Sequence, residues 1–459
     1  MSRKKNMKII VVGAGSIGSF IASDLSRDGG EVTVIDVNGD KVENMTNSAD
    51  VIGFKGNGAS FNTLNDLGAS DADVVIAVSD SDEINILSCF TAHTIGAKHT
   101  IARIRDVDYA NQNHFYKRTL GISMIINPDL ASANEIFRTL RFPVATRVEL
   151  FAGGKAELVE MTIDSSSPLI GHNLMEIRQN MGMNLLVCAV VREGEAFVPK
   201  GNVVIKNGDT IYLTGAANEF RPSFKKIGVP VRPLRSVLIA GNDRTAYYLG
   251  SILEKSGIKA TIVDQDRSVC RKFAEQLPKA AVMNEDALRY FDSLSDTEIA
   301  NIDAFIAITM NDEYNLISAM YAESKGIGKV IAKVSAKSRL KVLPQDTRIN
   351  TLSREDVAAD RILGYTRALL NADDNDAVES LYRLLDGNLE FVEFNIMPDD
   401  QNLNIPLKQL KFKKNVLLAG IIRDSKTIIP NGDDHLEPYD VAIVVSVAHQ
   451  IAKIEDVYE

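Results

Sequence analysis

Residues 9–36 read IIVVGAGSIGSFIASDLSRDGGEVTVID, and this stretch decides the fold of the chain. A short run of Ile and Val, typical of a buried β-strand, leads directly into glycines. A helix-length segment with apolar residues at helical spacing follows, and a second Val/Ile run then ends at Asp36. The order strand, helix, strand is typical of a βαβ unit on a parallel sheet. The stretch therefore predicts a doubly wound α/β domain.

The first strand and the helix are joined by the pattern G-x-G-x-x-G, formed by Gly13, Gly15 and Gly18. In this context the pattern is typical of dinucleotide or adenine-nucleotide binding. Gly13 permits the tight turn, Gly15 leaves space for a pyrophosphate and Gly18 lets the helix pack closely on the strand. The phosphates would lie at the helix N-terminus, where free N–H groups and the positive end of the helix dipole face them. The predicted phosphate loop comprises Gly13, Ala14, Gly15, Ser16, Ile17 and Gly18.

Asp36 ends the second predicted strand, where a carboxylate can accept hydrogen bonds from ribose hydroxyls. The same charge would repel a 2′-phosphate, which disfavours NADP. Ser79 and Asp80 follow the predicted fourth strand and Arg103 ends the fifth, so all three are expected at the carboxyl edge of the sheet. Each of these three residues is equally typical of a solvated turn. The site hypothesis thus rests on the glycines and Asp36, against the alternative of a Rossmann-like core that has lost its ligand.

The chain contains an internal duplication that covers its whole length. Residues 237–264 read VLIAGNDRTAYYLGSILEKSGIKATIVD and repeat the opening stretch, with Gly241 opposite Gly13 and Asp264 opposite Asp36. The segments that follow recur in the same order, down to a strand-rich segment near the C-terminus. Each half should therefore adopt the same architecture.

Each half divides into a doubly wound part and a smaller part. In the smaller part, strand runs with polar turns dominate and the helical signal is weak, which is typical of a small α+β domain. Linkers that carry proline or charge are predicted at 141–147, 229–235 and 371–376. The predicted fold class is α/β, with two Rossmann-like domains, each followed by a small α+β domain; the predicted domains are residues 7–143, 145–228, 235–371 and 376–459.

The glycine loop of the second half departs from the pattern. Residues 241–246, GNDRTA, keep only the first glycine, and Asp243 places a side chain and a negative charge where a pyrophosphate would approach. Arg244 would partly compensate as a phosphate donor, and Lys333 stands where the first half has Arg103. The sequence leaves open whether this half binds a nucleotide; its candidate residues are Arg244, Asp264 and Lys333.

Composition excludes several classes of function. The 459 residues carry a net charge of −10, so the chain lacks the positive field that attracts nucleic acid. No segment approaches the roughly 18 apolar residues of a membrane-spanning helix, and the basic start lacks the apolar stretch of a signal peptide. We therefore expect a cytosolic protein that reaches a membrane only through a partner. The three separated cysteines indicate buried thiols and predict no metal site; they are Cys89, Cys188 and Cys270.

No catalytic motif accompanies the glycine loop. An NAD-dependent oxidoreductase, the alternative function, needs an acid/base group beside the nicotinamide. In the predicted small domains, His172 and His435 do not match across the duplication and are interpreted as surface residues. The patterns GxSxG, HExxH and GxxxxGK[ST] do not occur. We expect the nucleotide to be sensed rather than consumed; a nucleotide-responsive adaptor for another partner is a third hypothesis.

The duplicated arrangement resembles the TrkA family, the regulatory subunits of bacterial and archaeal Trk potassium-uptake systems. Its domains resemble those named RCK, regulators of potassium conductance. The resemblance covers essentially the whole chain, and its specificity comes from the order and the doubling of modest markers. These markers are GAGSIG, VTVID, GNGAS at 56–60, AVSDSDEIN, and REGEAFVPKGN followed by NGDTIYLTG.

The resemblance implies domains that form a cytoplasmic ring beneath a membrane potassium channel or transporter, with NAD(H) or ATP/ADP in the Rossmann cleft. A tetramer of this duplicated chain would supply an eight-unit ring. Asn57, within GNGAS, belongs to the implied nucleotide site. Asn127-Pro128-Asp129 matches a dipeptide and carboxylate that relatives place near a neighbouring subunit's nucleotide, which makes Asp129 a phosphate- or cation-side residue. Ser16 and Arg244 occupy the loop position at which relatives carry an arginine.

Overall fold

The computed structural model describes most of the chain, namely residues 7–106, 109, 116, 118–142, 145–229, 233–335, 343, 347–372, 378–384, 388–424, 426–448, 451 and 453–459. The predicted domain boundaries at 143 and 376, and parts of all three predicted linkers, lie outside the described residues.

The first half opens with six parallel strands and helices on both faces. The strands are β1 (Lys8–Val12), β2 (Glu31–Asp36), β3 (Ile52–Lys55), β4 (Val74–Ala77), β5 (His99–Arg103) and β6 (Met124–Ile126). The helices are α1 (Ser16–Arg27), α2 (Gly39–Ser48), α3 (Phe61–Asp66), α4 (Asp82–Ile95) and α5 (Pro128–Arg141). In the strand order β3-β2-β1-β4-β5-β6, the strands β2 and β3 lie on one side of β1 and the strands β4 to β6 lie on the other. Doubly wound sheets bind ligands at this switch point between β1 and β4.

Continuous apolar runs explain why the central strands lie inside this sheet. All four residues of β4 are buried, as are four of the five in β1, because helices cover both faces. Side-chain caps begin several of the helices; Asn38 accepts hydrogen bonds at the start of α2, for example, and Ser81 accepts one at the start of α4. Helix α1 has no such cap, since its N-cap residue is Gly15.

The first small domain is an antiparallel sheet with two short helices. Its elements are β7 (Arg147–Phe151), β8 (Ala156–Thr162), α6 (Leu174–Gln179), β9 (Leu186–Arg192), β10 (Glu195–Phe197), β11 (Thr210–Ala216) and α7 (Phe220–Lys226). The strand order is β10-β9-β11-β8-β7. A capping box between Asn173 and Glu176 begins α6.

The second Rossmann-like domain repeats the first. Its strands are β12 (Ser236–Ala240), β13 (Lys259–Asp264), β14 (Ala281–Asn284), β15 (Ala304–Ala307), β16 (Lys329–Lys333) and β17 (Ile349–Leu352). Its helices are α8 (Arg244–Lys255), α9 (Arg267–Gln276), α10 (Ala287–Ser293), α11 (Asp296–Ala300), α12 (Asp312–Ser324) and α13 (Arg354–Ala372). The order β14-β13-β12-β15-β16-β17 is that of the first sheet.

The second small domain repeats the antiparallel sheet. Its strands are β18 (Val378–Leu384), β19 (Leu389–Asn395), β20 (Val416–Arg423), β21 (Lys426–Ile428) and β22 (Val441–Val447). Their order, β18-β19-β22-β20-β21, matches the first small domain strand for strand. The predicted α/β class, with two Rossmann-like domains each followed by a small α+β domain, is confirmed.

Like parts of the two halves pack together in two compact units. Met1–Phe137 with Arg235–Thr366 forms one unit, which contains both Rossmann sheets. Arg138–Leu234 with Arg367–Glu459 forms the other, which contains both small sheets. In this second unit a shared apolar cluster joins the sheets; its aromatic members are Phe151, Tyr212 and Phe391.

Among the described residues, no helix combines the length and the apolar character needed to cross a bilayer. The longest described helix, α13, spans 19 residues and carries several charged side chains.

Candidate nucleotide-binding site

At two of the three glycines in the first loop, neighbouring backbone atoms leave no space for a side chain. Gly13 has a φ of +106°, and a Cβ there would lie 2.8 Å from the backbone N of Ser79. A Cβ on Gly18 would lie 1.8 Å from the carbonyl oxygen of Gly13. Both positions therefore exclude a side chain, and the loop passes close to the end of β4 and to the first turn of α1.

The third glycine, Gly15, leaves open space at the start of α1. A Cβ there would meet no heavy atom within 4 Å, and the residue has ordinary extended geometry with a φ of −76°. As the N-cap, Gly15 offers no side chain to the first N–H groups of the 12-residue helix. These donors, the helix dipole and the open space together suit an anionic group such as a phosphate.

Asp36 faces the glycine loop from the end of β2. Its Oδ2 accepts a hydrogen bond from the backbone N–H of Ala14 at 2.7 Å, and its Oδ1 accepts one from that of Asn38 at 2.8 Å. Each carboxylate oxygen keeps acceptor capacity for a ribose hydroxyl. The predicted ribose carboxylate and the predicted phosphate loop thus lie together.

Arg103 places a guanidinium at the carboxyl edge of the sheet. The residue is only 8% exposed, and its terminal nitrogen donates to the carbonyl of Ser79 and, at 3.0 Å, to the carboxylate of Asp80. The hydrogen bond from Arg103 lowers the pKa of Asp80 below its usual range. Because the Asp80 side chain is 86% exposed, an incoming anion could displace it from the guanidinium at little cost.

Sequence reasoning missed Asn85, which holds this edge together. Asn85 is fully buried; its Oδ1 accepts from the backbone N–H of Ser79 at 2.8 Å, and its Nδ2 donates to the carbonyl of Arg103 at 2.9 Å. Asn315 makes the same two bonds to Thr309 and Lys333 in the second half. The matched asparagines were the signal that could have found them.

Asn57 shapes the turn after β3. Its side chain accepts a hydrogen bond from the backbone N–H of Ala59 at 3.0 Å. The neighbouring Gly58 approaches Val12 so closely that a Cβ would lie 2.3 Å from that side chain. This turn is therefore seated on the end of β1, next to the start of the glycine loop.

Asp129 lies at the start of α5 and contacts the second half of the same chain. The residue is 2% exposed; it forms an ion pair of 3.2 Å with Arg354 and accepts a hydrogen bond from the Thr245 hydroxyl at 3.3 Å. Beside it, Asn127 donates to the Tyr248 hydroxyl at 3.1 Å. Asp129 therefore faces the first turns of α8, the helix that follows the second glycine loop.

Arg244 faces back towards the first half. Its guanidinium lies 3.9 Å from the carboxylate of Asp106, and both side chains are about half exposed. The backbone N–H of Asp106 donates to Asp82 at the start of α4. Arg244 is thus positioned opposite the segment that follows β5.

Side chains of the second glycine loop bond to residues at the ends of the neighbouring strands. Asp243 and Lys333 form an ion pair of 2.6 Å, and both are nearly buried. Asp264 accepts a hydrogen bond from the side chain of Asn242 at 2.9 Å, and burial raises the pKa of Asp264. Lys333 and Asp264 thus each bond to a side chain of the second loop, whereas Arg244 faces Asp106 of the first half.

The described residues contain no group of three His, Cys, Asp or Glu side chains that could hold a metal ion. His172 and His435 each lie beside a glutamate, at 3.5 and 3.1 Å respectively, and both are partly exposed.

Comparison with known proteins identifies all four domains. The TrkA-N domain family matches residues 9–128 and 237–353, and the TrkA-C domain family matches residues 158–225 and 391–458. Together these matches cover well over half of the chain.

Individual relatives extend the likeness over the full length. The chain is 28% identical to the Trk system potassium uptake protein TrkA homolog 1 of Methanosarcina mazei, covering 99% of this chain and 100% of that protein. It is 25% identical to the Trk system potassium uptake protein TrkA of Haemophilus influenzae, covering 99% of each. The structure titled GsuK channel bound to NAD has the same fold, with a TM-score of 0.59 at 15% identity over 98% of this chain and 78% of that one. The chain belongs to the TrkA family, with the TrkA-N and TrkA-C domains each present twice.

Proposed function

We propose that this chain is the nucleotide-sensing regulatory subunit of a potassium uptake system. It acts on the cytoplasmic face of the membrane through a membrane-embedded potassium channel or transporter. The observation that carries this proposal is the uncapped N-terminus of α1. It lies within the Gly13–Gly18 loop, to which Asp36 bonds through Ala14. The names of the full-length relatives, which are potassium uptake proteins, supply the transport context.

The ligand class follows from the chemistry of the first half. An uncapped helix N-terminus and the adjacent Arg103 favour phosphates, and Asp36 favours an unmodified ribose. NAD(H), ATP and ADP satisfy both conditions, whereas the 2′-phosphate of NADP would meet the charge of Asp36. The GsuK structure named above contains NAD, which belongs to the same class.

Asn57, Ser79 and Asp80 have different roles in this proposal. Asn57 maintains the turn after β3 that borders the adenosine side of the site. Ser79 supports the close approach of Gly13. Asp80 accepts a hydrogen bond from Arg103, and an incoming anion would take its place.

Contacts between the two Rossmann halves offer a route from ligand to response. Arg244 is held near Asp106, so the phosphate chain of a nucleotide in the first half would compete with Asp106 for this cation. Asp129, with Arg354 and Thr245, holds the start of α8 against the first half. A ligand shifts such an arrangement only as far as it binds one state better than the other.

The nucleotide is sensed and not consumed in this proposal. The alternative, an NAD-dependent oxidoreductase, requires an acid/base group at the nicotinamide. His172 and His435 each lie next to a glutamate on the surface of a small domain. The alternative predicts that NADH absorbance falls steadily with a carbonyl substrate, and our proposal predicts no turnover.

We further propose that four duplicated chains form an eight-unit ring beneath the transporter. The packing of like parts within each compact unit supplies the paired domains from which such a ring can be built. Light scattering of the purified chain tests this oligomeric state directly.

The test of the function is potassium uptake in cells that lack their own copy of this subunit. Wild-type chain should restore uptake, and Asp36→Ala should restore less at equal protein level. Asp264→Ala, the matched change in the second half, should restore uptake as wild type does. Failure of the wild-type chain to support uptake with its cognate transporter would overturn the proposal.

A further inference from the structure

The two glycine loops of the chain provide an internal comparison at one position. Gly15 is the N-cap of α1 and has no side chain, whereas Asp243 is the N-cap of α8. The Oδ1 of Asp243 accepts a hydrogen bond from the backbone N–H of Ala246 at 3.0 Å. In the first half, backbone N–H groups at the start of α1 are available to bind a phosphate. In the second half, an N–H group at the start of α8 already bonds to Asp243.

The other carboxylate oxygen of Asp243 forms an ion pair with Lys333, the cation of this half. Lys333 ends β16 as Arg103 ends β5, and its Nζ lies 2.6 Å from Oδ2 of Asp243. The side chains of Asp243 and Lys333 are only 9% and 5% exposed. In the first half, by contrast, Arg103 pairs with a carboxylate that is almost fully exposed. The pair in the second half is thus a much harder one for a ligand to open, since opening it would leave a buried charge without its partner.

Two further contacts hold the same helix end. Thr245, the second residue of α8, is fully buried and donates to Asp129. Asn242 donates to Asp264, the residue that would bind the ribose. The loop and the helix start of this half are therefore engaged by protein groups.

We propose that Asp243 is a built-in substitute for the nucleotide phosphate, so that the second Rossmann half is permanently closed and each chain binds one nucleotide. This inference rests on the proposed function, because it assumes that the first half binds a nucleotide. A phosphate and the carboxylate would need the same helix donor and the same cation, and their like charges exclude each other. The second half would then act as a fixed partner against which the first half responds.

The test is the number of nucleotides bound per chain, measured by calorimetry with ADP and with NADH on the full-length protein. The wild type should bind one. Gly15→Asp, which recreates the second loop in the first half, should bind none; its Cβ has open space, so the variant should fold. Asp243→Gly should bind two, with the new site weaker than the first.

Asp243→Gly leaves Lys333 without its carboxylate, so a second variant guards against misfolding. Asp243→Gly with Lys333→Arg reproduces the glycine and the arginine of the first half, and it should also bind two nucleotides. Thermal melting with and without ADP reports whether each variant is folded. Two nucleotides on the wild type would overturn the inference, as would one on both folded Asp243 variants. No binding by the wild type would instead overturn the proposed function.

Discussion

Asp129 and Arg354 form an ion pair of 3.2 Å that joins the two Rossmann halves across 225 positions of sequence. The carboxylate is buried, and 27% of the arginine side chain is exposed. Truncating the arginine removes this charge and leaves Asp129 its hydrogen bond from the Thr245 hydroxyl. The carboxylate thus faces the start of α8, the helix that follows the glycine loop of the second half.

Arg354→Met should lower the free energy of unfolding by about 1–3 kcal/mol, because a buried carboxylate loses its charged partner. Urea denaturation at neutral pH measures this change. Lys408→Met is the matched control, since Lys408 and its partner Asp433 are both mostly exposed, and it should cost less than about 0.5 kcal/mol. Equal effects of the two substitutions would mean that the Asp129–Arg354 pair does not stabilise the contact between the halves.

Asp36→Ala should weaken nucleotide binding by about 10- to 100-fold, because hydrogen bonds from ribose to a charged group contribute roughly 1.5–3 kcal/mol. The substitution also removes the bond that holds Ala14. Asp264→Ala changes the equivalent residue of the second half and should leave the affinity unchanged. Titration calorimetry compares the two variants. A loss of affinity in Asp264→Ala alone would place the site in the second half and contradict the prediction.

Gly18→Ala and Gly15→Ala should separate folding from binding. The first puts a Cβ 1.8 Å from the carbonyl of Gly13, so it should lower stability by about 1–3 kcal/mol and abolish binding. The second meets no atom within 4 Å, so it should leave the melting temperature unchanged while it narrows the space for phosphate. Melting curves and calorimetry on both variants check this; a stable Gly18→Ala with normal affinity would contradict the described loop.

Lys329 predicts a dependence of stability on pH. The residue is 5% exposed in β16, and burial lowers its pKa from 10.5 to about 7. Between these two values the unfolded chain binds more protons than the folded one, so the free energy of unfolding should rise as pH increases from about 7 to 10. The slope contributed by this one group is at most about 1.4 kcal/mol per pH unit.

Lys329→Met should remove this part of the slope and stabilise the chain at neutral pH. The first half carries His99 at the equivalent place, so Lys329→His is a second variant that the fold is expected to tolerate. Denaturation midpoints at several pH values give the slope. A slope of stability against pH that is the same in Lys329→Met as in the wild type would contradict the assignment.

Much of this architecture could be predicted from the sequence because it depends on local patterns. The Val/Ile runs and the duplication predict both Rossmann sheets, and the spacing from Gly13 to Asp36 predicts that the carboxylate reaches the loop, as its bond to Ala14 now shows. The packing of like domains in pairs was not predicted, since it depends on surfaces that no short pattern marks.

The parts that were missed depend on contacts between distant residues. Asp243 and Lys333 were each recognised, one as an obstacle and the other as a cation, yet their pairing across 90 positions required the structure. Asn85 was overlooked because a polar residue in a helix is usually solvated; here it bonds two strand ends. The resemblance predicts Asp129 near a neighbouring subunit's ligand, whereas its partners within the chain follow only from the structure.

The central claim is that the first Rossmann half senses a nucleotide. Calorimetric titration of purified wild-type chain with NADH, NAD, ATP and ADP, alongside Asp36→Ala, tests it most directly. The account predicts saturable binding of at least one of the four at one site per chain, lost or strongly weakened in Asp36→Ala. Absence of binding by all four, or binding that Asp36→Ala leaves intact, would contradict it.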